Sequence, residues 1–121
     1  MPHLIVEYSN NVADDVLDID ALLEKLAAAA VATGLFPEAG LRARAYRAEQ
    51  QRVADGDPDK GFVHVAMNVG RGRELAERQA AGEQIFAALK VHLESLMAER
   101  PITLSFEMRE IDPVKFNYRN F

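Results

Sequence analysis

Cysteine is absent from the 121 residues, and with it go disulfides, thiolate metal sites and a cysteine nucleophile. A basic excess is missing too: the formal net charge of −5 argues against a general nucleic-acid binder. No apolar run is long enough to cross a bilayer, so no membrane partner is expected. The three histidines, His3, His64 and His92, lie too far apart for an HxxxH-type pair, and no metal site is expected. No basic-then-apolar leader precedes the first strand, so the expected compartment is the cytoplasm. Aromatic residues make up 7% of the chain, a thin supply for a monomer's core, so burial between subunits would help.

What is present is a pattern that occurs twice. Leu4, Val6 and Tyr8 alternate with His3, Ile5 and Glu7, which reads as a strand over 2–9. An Asp-rich stretch then leads into the helical run from Ala21 to Ala32, with Asp18 or Asp20 as its cap and Thr33-Gly34 as its end. After the turn at Phe36-Pro37-Glu38-Ala39-Gly40, residues 41–47 read as a second strand. Beyond a polar loop the order recurs: a strand over 62–69, Arg71-Gly72-Arg73, one long helix from about Glu74 to Glu99, and a fourth strand over 102–109 after Pro101. Matching strands are offset by about sixty residues, which reads as an internal duplication.

The expected fold is therefore α/β (α+β), a single domain over 1–121 with halves of about 1–60 and 61–121. Two right-handed βαβ units would form a four-stranded mixed sheet with two helices on one face. The other face would carry Arg42, Arg44 and Tyr46 on one strand and Thr103, Ser105 and Glu107 on another. The tail Phe116-Asn117-Tyr118-Arg119-Asn120-Phe121 places three rings outside any element, which suggests that subunits pack sheet to sheet.

Chemistry points to Pro2. Once Met1 is removed, proline becomes a terminal secondary amine held by a strand, and such an amine is a base. An ordinary α-amine titrates at roughly 7.7–8.0; desolvation and neighbouring cations both favour its neutral form. Only Lys25, Lys60, Lys90 and Lys115 of the fourteen cations are lysines, and arginine grips carboxylates bidentately. The candidates are Arg42 and Arg44, which share a strand face, and Arg71 and Arg73, expected at a helix N-terminus where free N–H groups favour anions. Against this stands the common surface ion pair, the expected reading for Arg78 and Glu83 as well. His3 and His64 read as structural, His92 as exposed on its helix, and Gly82 as a site of close helix packing.

The stretches Met1 to Ser9, Thr33 to Arg44, Phe62 to Val65, Gly70-Arg71-Gly72-Arg73 with Arg78-Gln79 and Gly82-Glu83, and Leu104 to Glu107 together resemble the 5-carboxymethyl-2-hydroxymuconate isomerase family of the tautomerase superfamily. The resemblance spans nearly the whole chain in order. It implies a tautomerase-like fold, a homotrimer and a cofactor-independent isomerase acting on a tricarboxylic dienol of homoprotocatechuate (4-hydroxyphenylacetate) meta-cleavage. Pro2 would be the general acid/base; Arg42 and Arg73 would bind carboxylates, with Arg44 and Arg71 as second choices. Two other readings keep the fold: a tautomerase for a different unsaturated keto or enol acid, and a non-catalytic trimeric ligand-binding module.

Overall fold

The computed structural model describes residues 1–121. Alternation of apolar residues builds four strands: β1 (His3–Tyr8), β2 (Arg42–Arg47), β3 (Gly61–Val69) and β4 (Ile102–Glu110). They form one sheet in the order β2-β1-β3-β4, with β1 parallel to β2, β3 parallel to β4, and the two central strands antiparallel. His3 stands opposite Arg42 as Phe62 stands opposite Thr103, so each half repeats the same parallel pairing. This is the duplicated mixed sheet expected from the sequence.

The helices are α1 (Asp14–Leu17), α2 (Ile19–Ala32), α3 (Leu75–His92) and α4 (Glu94–Glu99), with a 3-10 turn over Glu38–Gly40. Leu22, Leu26 and Ala30 recur every fourth residue on α2, as Ala81, Ile85 and Leu89 do on α3. Those stripes pack on Leu4, Val6, Val63, Val65 and Met67, all fully buried. Burying one such side chain contributes about 1.5–3 kcal/mol, which fixes strand register, because a slip of one residue would expose the whole set. Gly82 belongs to the same contact: a Cβ there would stand 3.1 Å from the Phe106 ring, so its absence lets α3 approach β4.

Three sequence expectations are corrected. The Asp-rich stretch before α2 contains the short helix α1, and Asp18, not Asp20, caps α2 by accepting from Ala21 N at 3.4 Å. The long helix ending at Glu99 is broken at Leu93, whose ψ of 7° departs from helical geometry. The apolar stripe survives the break: Leu93 and Leu96 continue from Leu89 into the core, which is why periodicity showed one helix. His92, expected on an exposed surface, is half-buried and ties the end of α3 to the end of α1. Its Nε2 donates to the Leu17 carbonyl at 2.8 Å and its Nδ1 lies 3.2 Å from Lys25 Nζ.

Candidate active site

Strand pairing places Pro2. Its carbonyl accepts from Arg42 N at 3.0 Å, extending the β1–β2 ladder by one residue, and the ring is buried. With Met1 attached, the Pro2 nitrogen is a tertiary amide with neither a proton nor basicity. Met1 lies over this end of the sheet: its Sδ is 3.1 Å from where a Cβ would stand on Gly40, and Arg119 Nη1 reaches that sulfur at 4.0 Å. The Met1 amine is held below the ordinary α-amine value, first by burial, then by the cations Lys115, Arg73, Arg42 and Arg119.

The backbone fixes Arg73 firmly. Nε and Nη2 donate to the Leu35 carbonyl at 3.2 and 2.9 Å, Nη1 donates to the Gly70 carbonyl at 3.1 Å, and the guanidinium lies 4.8 Å from the centroid of the Phe36 ring. Gly70 explains how a second cation comes close: a Cβ there would meet Lys115 Nζ at 3.1 Å and Arg73 Nη1 at 3.9 Å. Gly72, at φ +111°, turns the loop back so that Arg73 points toward the amine end of β1.

Of the four arginines singled out, the structure brings Arg42 and Arg73 to the amino terminus. Arg44 is one step removed: Arg42 Nη1 and Arg44 Nη1 contact opposite nitrogens of the His3 ring, Nε2 at 3.3 Å and Nδ1 at 3.1 Å. Burial and these two cations hold the His3 imidazole below its usual range. Arg71 points elsewhere, its Nε donating to the Ile111 carbonyl at 3.2 Å. The expected anion site at the N-terminus of α3 is occupied by the chain itself: Glu74 and Glu77 form a capping box over those N–H groups. Arg78 pairs with Glu110 at 4.0 Å, while Glu83 accepts from Gln79.

Sequence reading missed Lys115 and Arg119. They follow β4 in a tail without regular structure, where no periodicity assigns a direction, and the fold alone carries them back across the sheet. Arg42, Arg73, Lys115 and Arg119 share one further property: none forms an ion pair with an acid of this chain. In a protein of net charge −5, four cations gathered without a carboxylate form a site suited to an anion.

The sheet face away from the helices carries a separate network. His64 Nδ1 lies 2.6 Å from Ser105 Oγ and Nε2 lies 3.3 Å from Glu107, which also binds Arg109. Each of these groups has a partner within the sheet, in keeping with a structural His64. Among all residues, no group of three or more His, Cys, Asp or Glu side chains is placed to hold a metal ion.

A family model described as 5-carboxymethyl-2-hydroxymuconate isomerase matches residues 2–120. The chain belongs to the 5-carboxymethyl-2-hydroxymuconate isomerase family. A 5-carboxymethyl-2-hydroxymuconate Delta-isomerase from Escherichia coli is 42% identical over 113 residues, covering 93% of this chain and 89% of that protein. A crystal structure of a family member from Deinococcus radiodurans R1 superposes with a TM-score of 0.89 at 34% identity, over 99% of this chain and 90% of that one. At 21% identity, a fused 4-OT described as a symmetric trimer shares the fold alone, with a TM-score of 0.63 over 98% of this chain and 92% of that one. The isomerase family thus has here the tautomerase fold, with the cation cluster at the amino-terminal end of β1.

Proposed function

We propose that this chain, with Met1 removed, isomerises 5-carboxymethyl-2-hydroxymuconate without a cofactor, and that Pro2 is the acid/base. The observation that carries this reading is the acid-free set of cations around the amino terminus. Removal of Met1 moves the free amine by one residue, to a buried proline in the same field, where the neutral form is favoured. The neutral Pro2 nitrogen takes the proton of the substrate's 2-hydroxyl. The electron pair of the O–H bond forms the new carbonyl, the adjacent double bond shifts one position along the chain, and the electron pair of the distal double bond takes the proton that the prolinium returns to the far carbon. The product is the 2-oxo-3-ene isomer, and no atom or electron is left over.

Arg42 and Arg73 supply carboxylate binding and stabilise the negative charge that develops on the oxygen as the proton leaves. The hydrogen bonds that fix Arg73 before substrate arrives reduce the ordering cost at binding. Arg44 acts on this site through His3, and Arg71 by holding the tail at Ile111.

The same reading places the chain in a cytoplasmic homotrimer. Ile5, Phe62, His64 and Ala66 lie half-buried on a sheet face that no element of the chain covers. Phe116, Tyr118 and Phe121 are 95%, 92% and 84% exposed. A second and third copy would cover these groups.

The test is kinetic. Pro2→Ala retains a primary amine but loses the ring, and its kcat should fall by about 10²–10⁴, the usual span of general-base catalysis. Arg42→Ala should chiefly raise KM. Unchanged turnover in both variants contradicts the proposal.

A further inference from the structure

The proposed substrate carries three carboxylates, and four cations surround the amino terminus. Arg42 and Arg73 stand on the framework, at the start of β2 and in the loop after β3. Arg73 has three of its donor nitrogens on backbone carbonyls and Arg42 contacts His3, so each has donors left for about one carboxylate. Lys115 and Arg119 are brought to the same place by the tail, Lys115 beside Arg73 at Gly70 and Arg119 beside Gly40.

That tail is anchored where it leaves β4. Ile111 N donates to the Val69 carbonyl at 2.7 Å, Arg71 Nε holds the Ile111 carbonyl, and Asp112 Oδ1 accepts from Val114 N at 2.8 Å. From this root the chain crosses the amino terminus and sets Lys115 beside Gly70 and Arg119 beside Gly40, two positions where an added Cβ would meet those side chains at 3.1 and 3.6 Å. Between them lies Met1, touched by Arg119 through its sulfur. Loss of Met1 opens that space at the Pro2 nitrogen, among the four cations Lys115, Arg73, Arg42 and Arg119 that act on the amino terminus.

We infer that Lys115 and Arg119 bind the carboxymethyl carboxylate, the third acid of the substrate, and that the tail thereby selects tricarboxylic over dicarboxylic dienols. The inference rests on the reading of Pro2 as the acid/base, but its test separates the two. Both cations are exposed, so their grip weakens with salt more than that of the half-buried, backbone-fixed Arg73.

The experiment uses full-length chain lacking Met1. Turnover of 5-carboxymethyl-2-hydroxymuconate is compared with turnover of 2-hydroxymuconate, which lacks the carboxymethyl arm, for wild type and for Lys115→Gln/Arg119→Gln. The preference, as a ratio of kcat/KM values, should fall about 100-fold in the double variant, mainly through KM for the tricarboxylate, as expected from losing two charge-assisted contacts. A ratio within about threefold of wild type overturns the inference. Lys115→Arg/Arg119→Lys keeps the charges and should keep the preference; its collapse would show that tail conformation, not charge, sets selectivity, and would equally overturn it.

Calorimetric binding of tricarballylate, a saturated tricarboxylate, gives a readout independent of chemistry. Binding to wild type that weakens about 100-fold in the Gln pair supports the tail site even where no dienol is turned over, a result that would sink the Pro2 reading alone. Equal binding by wild type and the Gln pair, or no binding by either, overturns the tail site.

Discussion

Arg73 Nη2 lies 2.9 Å from the Leu35 carbonyl oxygen, which also accepts from Nε of the same guanidinium at 3.2 Å. The turn after α2 thus holds the cation that faces Pro2. Lysine carries the charge but cannot span Leu35 and Gly70 together or stack on Phe36. Arg73→Lys should raise KM about tenfold or more and lower stability by about 1–2 kcal/mol, read from steady-state kinetics and urea unfolding. Wild-type values for both would show that the fork geometry is idle.

The cations around the amino terminus set a pH dependence with a definite sign. Burial and Lys115, Arg73, Arg42 and Arg119 all disfavour the charged amine. The acidic limb of kcat/KM for the processed chain should therefore lie below the pKa of a free prolyl amine, and added salt, by screening the exposed cations, should move it upward. A limb at the free-amine value that ignores salt would remove the electrostatic part of the account.

His3 gives a stability counterpart. Its folded pKa is depressed, so the unfolded chain binds the proton more readily, and stability rises with pH across the window between the folded and unfolded values. The contribution is present above the unfolded value of about 6.5 and is lost as pH falls through the folded one. His3→Gln should flatten this slope below pH 6.5 in thermal unfolding; an unaltered slope would place the titrating group elsewhere.

At Gly82, packing decides. A Cβ would press within 3.1 Å of Phe106, and a branched side chain would push α3 off β4. Gly82→Val should destabilise by about 1–3 kcal/mol, read from chemical unfolding, and a neutral effect would mean that the ring moves aside freely.

How much of this was visible in the sequence follows from what each signal measures. Alternation reports which face of a strand is buried, and the apolar face it gave Leu4, Val6 and Tyr8 is the one packed in the core. Helical periodicity reports a stripe and is blind to a break that keeps the stripe, so α3 and α4 read as one helix across Leu93. The placing of Pro2, Arg42 and Arg73 at one end of the sheet was legible because they lie at the starts of strands or in a short loop, where chain direction is already fixed. Lys115 and Arg119 were not, since their approach to Met1 depends on how the tail folds back from Ile111. Arg44 and Arg71 have the right chemistry, but His3 and Ile111 hold them elsewhere.

In the proposed reaction a free Pro2 amine carries the proton. Two otherwise identical samples, one shown by mass spectrometry to lack Met1 and one retaining it, are followed by the loss of ultraviolet dienol absorbance of 5-carboxymethyl-2-hydroxymuconate. The processed chain should isomerise it rapidly, and with Met1 in place, where the Pro2 nitrogen is an amide, only the uncatalysed rate should remain. Equal rates from the two samples would contradict this role for Pro2.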